Sequence, residues 1–154
     1  MIPVTIISVG AIKEKSILAL CQQYQKRLSP YVRLNLVEVQ AQPFSSASLP
    51  KAQATEEQAI SRRLEKISGD IYLLSEDGEM PGSSVDFSRD IVADDGKEKI
   101  FIIGGASGFS AGFKARYRRL SLSPLTFTHE MARLILLEQL YRSIAILSGK
   151  QYHY

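Results

Sequence analysis

Four stretches of this chain carry residue types at spacings that could do chemistry, and each implies something different. GFSAG, residues 108–112, matches the nucleophile elbow of serine hydrolases, with Glu138 and either His129 or His153 following as acid and base. An elbow needs its serine on the turn at a strand's end. The apolar run before it stops near Ile103, several residues short of Ser110, so the hydrolase reading fails on context. HEMAR, beginning at His129, lacks the second histidine of a zinc-protease helix, and one cysteine with two histidines leaves no metal-ligand spacing. No metal is expected. IIGGASG, residues 102–108, puts glycines where a strand gives way to a loop, the place at which open α/β sheets bind ligands. It is neither a P-loop, lacking Gly-Lys-Ser/Thr, nor a dinucleotide fingerprint after the first strand. SLSPLTF, residues 121–127, is interrupted by Pro124, which cannot donate to a sheet ladder. It is an edge strand, a loop, or backbone that turns out of the sheet with its polar groups open to a ligand. The chain then ends LSGKQYHY, aromatic and titratable where termini usually carry small polar residues.

Charge adds a further feature. From Gly69 to Lys99 there are nine acidic and three basic residues, whereas from Gly112 onward there are seven basic and two acidic. Lys114, Arg116, Arg118 and Arg119 fall within six positions. A solvated helix face accounts for such a cluster; so does a phosphate-binding surface, since lysine and arginine gain affinity for nucleic acid by displacing counterions.

The elements that must position these residues follow from periodicity. A β-branched run over Ile2–Val9 and alternation over Val32–Val39 predict strands, separated by a helix from Glu14 to Leu28 that Pro30 closes. AQPFSSASLP, residues 41–50, is a loop, and a helix from about Lys51 to Ile67 follows. The second half predicts a strand at Asp70–Ser75, a turn EDGEMPG, a helix from Ser84 to about Ala93 and a strand at Lys99–Ile103. A basic helix from Ala111 to Arg119 and a long helix from Glu130 to Ser148 complete it. That alternation predicts an α/β protein with a parallel sheet covered on both faces. The last helix is apolar around most of its circumference, from Leu134 to Leu147, so a second buried side is expected, most simply in a twofold dimer, with a central core helix in a monomer as the alternative.

One domain over residues 1–154 is expected. No apolar run approaches the ~20 residues of a membrane span. The opening MIPVTIISVG has no basic flank and no cleavage site, and Cys21 is alone, so a cytoplasmic location is expected.

VGAIKEK near the start, IIGGASGF, SLSPLTF and HEMARLILLEQLYRSIAILSGKQYHY, in that order, resemble the SPOUT-type ribosomal RNA large-subunit methyltransferase H family. The resemblance covers nearly the whole chain and is most specific over the last 55 residues. It implies a parallel sheet flanked by helices with a C-terminal deep trefoil knot, and a cytoplasmic homodimer. The implied reaction is S-adenosylmethionine-dependent methylation of N3 of a pseudouridine in 23S ribosomal RNA within the ribosome. A non-catalytic RNA- or ribosome-binding protein of the same fold, or a methyltransferase acting on another RNA such as transfer RNA, is the alternative. Thr128 departs from the proline usual in the family before His129, and Ser107 from the Glu or Asn common in the glycine loop.

Carried over by position, the implied cofactor site is Leu74, Gly104, Gly105, Leu122, Ser123, Pro124, Leu125, Thr126 and Phe127. The N3 of a uracil-type ring is a weakly acidic imide, so a base or a charge-stabilising cation is required. Arg142 is the candidate cation, with an intrahelical pair to Glu138 as its structural alternative. His153 is a candidate proton acceptor and Tyr152 a stacking or hydrogen-bonding partner, which makes the tail part of the catalytic pocket. His129 is a further catalytic candidate, or a loop histidine bonded to backbone. Lys114, Arg116, Arg118 and Arg119 are the candidate RNA-phosphate contacts.

Overall fold

In a computed structural model describing residues 1–150, five strands form one all-parallel sheet. They are β1 (Ile2–Val9), β2 (Val32–Val39), β3 (Gly69–Glu79), β4 (Glu98–Ile103) and β5 (Arg118–Leu120), in the order β2-β1-β4-β3-β5. The helices are α1 (Lys15–Leu28), α2 (Leu49–Leu64), α3 (Ser84–Phe87) running into a π-helical turn at Ser88–Val92, α4 (Ala111–Lys114) and α5 (His129–Leu147). The central strands are apolar without alternation because both of their faces are covered. On β1, Val4 and Ile6 point to a core shared with Leu28, Leu136, Leu137 and Leu140; Ile7 and Val9 point to the opposite core, with Ile60 and Phe113. On β4, Phe101 and Ile103 face the first core, Ile100 and Ile102 the second.

Two expectations are corrected, and one alternative left open is decided. The basic helix over 111–119 ends at Lys114, and Arg118–Leu120 is instead an edge strand that pairs with Tyr72–Leu74. Pairing with an existing edge overrides the weak helical preference of so short a segment. The turn expected at EDGEMPG begins later, because β3 continues to Glu79: Leu74 and Glu79 both pair with Leu120, and the residues between them form a bulge. SLSPLTF is a loop, starting where β5 stops and Ser121 N donates to Glu79 O at 2.9 Å.

Helix α5 begins with Thr128 as N-cap, its Oγ1 accepting from Met131 N at 3.3 Å. It ends in a Schellman motif, Gly149 at φ +66° with Lys150 N bonded to Ala145 O at 2.9 Å and Gly149 N to Ile146 O at 3.0 Å. Leu136, Leu137, Leu140 and Ile144 are buried, Leu134, Ile135, Tyr141 and Ile146 half-buried, and Met131 and Leu147 exposed. The helix spans the sheet from the C-terminal end of β1, near Gly10, to its N-terminal end, where Ile144 and Leu147 meet Ile2 and Tyr31.

The chain leaves β1 toward β2 on one side and β4 toward β5 on the other. The crevice beyond the carboxyl ends of these strands is where such a sheet binds ligands.

Candidate active site

The glycine loop after β4 is clamped by α2 through residues that no local pattern marks. Glu56, only 4% exposed, accepts from Ser107 Oγ and, at 2.8 Å, from Gln42 N. Gln53 Nε2 donates to Ser107 O at 2.8 Å. Glu57 accepts from Ser110 N at 2.8 Å and Ser110 Oγ at 2.9 Å. Ser110 also caps α4, and Ser107 ties the loop to α2 through both its hydroxyl and its carbonyl. The loop also lies too close to its surroundings for larger residues. A Cβ at Gly104 would stand 2.8 Å from the Phe109 ring, and one at Gly105 2.8 Å from Val9 Cγ1.

SLSPLTF folds on itself, Ser121 Oγ donating to Ser123 O at 2.8 Å and Leu125 N to Ser123 Oγ at 3.1 Å. Between this loop, the glycine loop and the end of β3 lies a pocket of about 310 Å³. Of the residues carried over from the resemblance, Leu74, Gly104, Gly105, Leu122, Ser123, Leu125, Thr126 and Phe127 line it; Pro124 does not. His129 and Lys114 line it too. The volume is at the lower end of small-molecule sites, and bare glycine backbone beside apolar walls suits a flat ring with a polar appendage.

At the end of β1 the segment after the first strand meets the first turn of the last helix. Gly10, at φ +86°, lies so near His129 that a Cβ there would be 3.3 Å from His129 Cε1. Glu130 accepts the backbone N–H of Lys13 at 2.8 Å and of Glu14 at 3.0 Å, which pins the VGAIKEK turn to the first turn of α5. The Glu14 and Lys13 amides hold its carboxyl below the ordinary value. Arg133, 3% exposed, bonds Glu38 Oε1 at 2.7 Å, Gly10 O at 3.0 Å and Ser8 Oγ. His129 is the first residue of α5, not a loop residue, and its Nδ1 is buried with no hydrogen-bond partner among the described residues. Burial, with Arg133 and Lys13 nearby, pushes the imidazole below its ordinary value, so the ring facing the pocket is neutral at neutral pH.

Arg133 and the two α2 carboxylates were not singled out by sequence. Arg133 was legible: it is in phase with Leu137, Leu140 and Ile144, a charge on the buried stripe of an apolar helix.

Arg142, Arg116, Arg118 and Arg119 do not line the pocket. Arg142 is 13 residues beyond His129, roughly 20 Å along the helix, and its Nε donates to Glu138 Oε1 at 3.0 Å. Tyr152 and His153 lie outside the described residues. The basic cluster is distributed: Lys114 and Arg119 both meet Asp77, at 3.4 and 3.2 Å, and Arg118 meets Glu79 at 3.2 Å. Arg116 lies over the Phe113 and Tyr117 rings at 5.7 and 5.4 Å. The described residues contain no group of three or more His, Cys, Asp or Glu able to hold a metal ion, and no helix long and apolar enough to cross a membrane.

A family model described as "Predicted SPOUT methyltransferase" matches residues 2–153. The chain belongs to the SPOUT methyltransferase family. Among SPOUT relatives, the ribosomal RNA large subunit methyltransferase H of Clostridium kluyveri is 40% identical over 97% of this chain and 98% of its own. The protein of that name from Thermodesulfovibrio yellowstonii is 43% identical over 94% of each. A solved structure from work on 2-OH methylation of C/U34 on tRNA shares the fold, with a TM-score of 0.52 over 96% of this chain and 98% of that one, at 16% identity. The five-stranded parallel sheet with flanking helices is the SPOUT architecture, and the family implies a methyl donor.

Proposed function

We propose that this SPOUT protein is a homodimeric methyltransferase that transfers a methyl group from S-adenosylmethionine to N3 of a pseudouridine in 23S ribosomal RNA within the ribosome. The observation that carries the reading is the pocket at the carboxyl ends of β3 and β4, walled by the two loops that resemble the family's cofactor loops. Relatives about 40% identical over nearly their full length bear the large-subunit methyltransferase name. The C-terminal trefoil knot belongs to the same reading.

When bound, S-adenosylmethionine supplies an electrophilic methyl on a sulfonium. Gly104, Gly105 and the 122–127 loop would hold it, with Leu74, Leu122 and Phe127 as apolar walls. Leu125, 69% exposed, would be covered by the ligand or the substrate. The residues then have two tasks: to bring the ring nitrogen into line and to stabilise the anion left as its proton departs. His129, neutral at the pocket's edge, can accept a hydrogen bond without adding positive charge beside a cationic sulfonium.

The tail enters this reading through reach. Lys150 sits by Tyr31 at the N-terminal end of β1, its Nζ 3.4 Å from the Tyr31 hydroxyl. The pocket lies at the other end of α5, more than about 20 Å away. Three residues of chain extend no further than roughly 11 Å. In this reading Tyr152 and His153, which lie outside the described residues, serve the pocket of a partner subunit, and Arg142 acts with them. The half-buried side of α5 is the matching dimer face.

Calorimetric titration with S-adenosylmethionine, followed by methyl transfer to ribosomes lacking the modification, tests the reading. Saturable binding and incorporation at one pseudouridine are expected. A chain truncated after Lys150 is expected to bind the cofactor as a dimer and to transfer no methyl. A folded dimer that does not bind the cofactor points to a non-catalytic binding protein, and incorporation into transfer RNA to the other substrate.

A further inference from the structure

Lys114 and Phe109 line two cavities at once. One is the cofactor pocket; the other, about 340 Å³, opens beside it and is completed by Asp77, Ala111, Ala115 and Arg119. We propose that this second cavity is a binding site for a phosphodiester of the substrate RNA, gripped by Lys114 and Arg119, and that Asp77 is an internal stand-in which the phosphate displaces. The inference rests on the RNA-substrate reading above and adds a site to it.

Four observations support the assignment. Asp77 Oδ2 lies between the two cations, 3.4 Å from Lys114 Nζ and 3.2 Å from Arg119 Nη1, so one carboxylate oxygen occupies the point where both positive groups converge. The contact is loose: Arg119 offers five N–H donors, and among the described residues only one is engaged, by Asp77. A phosphate, with its tetrahedral oxygens, uses such a pair of cations more fully than a carboxylate held at one oxygen. The three side chains are 48%, 27% and 44% exposed for Asp77, Lys114 and Arg119, so their ion pairs are weak and exchange with solvent anions at little cost.

The third observation concerns how Asp77 comes to be there. It sits on the β3 bulge, where Ser75 Oγ donates to its carboxylate and Gly78 presses on β5, a Cβ at 78 falling 2.7 Å from Arg119 C. The chain is thus shaped to present an acid at this point. Ser75 also lines the cofactor pocket, so the segment bearing the stand-in forms part of the wall around the methyl donor. Fourth, Arg116, held over Phe113 and Tyr117, extends the cationic track from the cavity along the surface. A phosphate in the cavity would place its nucleotide beside the donor pocket, across the shared Phe109 and Lys114.

Displacement has a thermodynamic signature. In the native chain, phosphate binding releases Asp77 to collect its own counterions, which offsets those released from the RNA. Removing the acid's charge should tighten binding and steepen its salt dependence together. The test is fluorescence anisotropy with a labelled oligouridylate across a range of salt. Asp77→Asn is expected to bind about three- to tenfold more tightly at low salt, with a slope steeper by roughly 0.7. Asp90→Asn, the same charge change on the π-helical turn, is expected to change affinity less than about twofold. In a background carrying both Lys114→Ala and Arg119→Ala the gain from Asp77→Asn is expected to vanish. No gain from Asp77→Asn, an equal gain from Asp90→Asn, or a gain that survives loss of both cations overturns the proposal. Cofactor binding by the wild-type protein reports separately on the enzymatic reading, since it requires no RNA.

Discussion

The two ends of the sheet each bury a cation, and they treat it differently. At the N-terminal end Lys99, 3% exposed, meets two carboxylates, Asp70 at 2.9 Å and Asp95 at 2.8 Å. Those contacts raise its pKa against the opposing effect of burial. At the C-terminal end Arg133 is equally buried but has one carboxylate, a hydroxyl and a carbonyl, and its Nε has no hydrogen-bond partner among the described residues. His129 Nδ1, four residues earlier, is likewise unpartnered. Buried polar groups are normally satisfied. The end whose buried cation is saturated lies away from the pocket, and the end that leaves polar atoms unsatisfied is the end with the pocket.

Replacing the two cations by methionine compares the ends directly. Arg133→Met leaves buried Ser8 and the Gly10 carbonyl without their donor, and should cost about 3 kcal/mol. Lys99→Met leaves two part-exposed carboxylates that water can reach, and should cost about 1 kcal/mol. Urea denaturation measures both, and equal losses would erase the distinction between the ends. A smaller effect separates ligand binding from stability. Glu56→Gln, which weakens the tie on the glycine loop, should reduce affinity for S-adenosylmethionine about tenfold, roughly 1.4 kcal/mol. Asp95→Asn at the other end should leave that affinity unchanged; calorimetry on both variants decides.

The smallest effect concerns pH. His129 has a folded pKa below its unfolded one, because burial disfavours the imidazolium and Arg133 and Lys13 add to that. Above the unfolded value both states are neutral and nothing is lost; as pH falls through it the unfolded chain takes up the proton first, and stability declines toward the folded pKa. Thermal melts between about pH 7 and pH 5 should therefore fall more steeply for the wild type than for His129→Gln. Glu130, Asp70 and Asp95, whose pKa values are lowered, contribute stability that is lost only at more acidic pH. Parallel curves would assign His129 no titrating role.

Local signals made much of this legible. Glycines at 104, 105 and 108 and Pro124 punctuate the chain where the pocket loops are, because their backbone constraints act within a residue or two. Four strands followed from apolar runs. The fifth did not, since Arg118–Leu120 has no strand pattern and becomes a strand only by pairing with Tyr72–Leu74. The α2 clamp was invisible for a similar reason: Glu56 and Glu57 act on Ser107 and Ser110 across more than fifty positions, and an acid on an amphipathic helix looks the same whether it faces water or a loop. Arg142 illustrates the limit in another form. Its spacing from Glu138 correctly indicated a pair, but spacing along one helix carries no information about groups that approach from other elements.

The strand order has a consequence for synthesis. β4 lies between β1 and β3, yet it is made after both. From the time Val9 is made until Ile103 follows it, some ninety residues later, the β4-facing edge of β1 has no partner. At ordinary elongation rates that is roughly 5 to 18 seconds. During that time VTIISV is an apolar, β-branched edge of the kind that pairs with other nascent chains. A newborn chain of this topology therefore depends on whatever shields that edge until its central strand arrives.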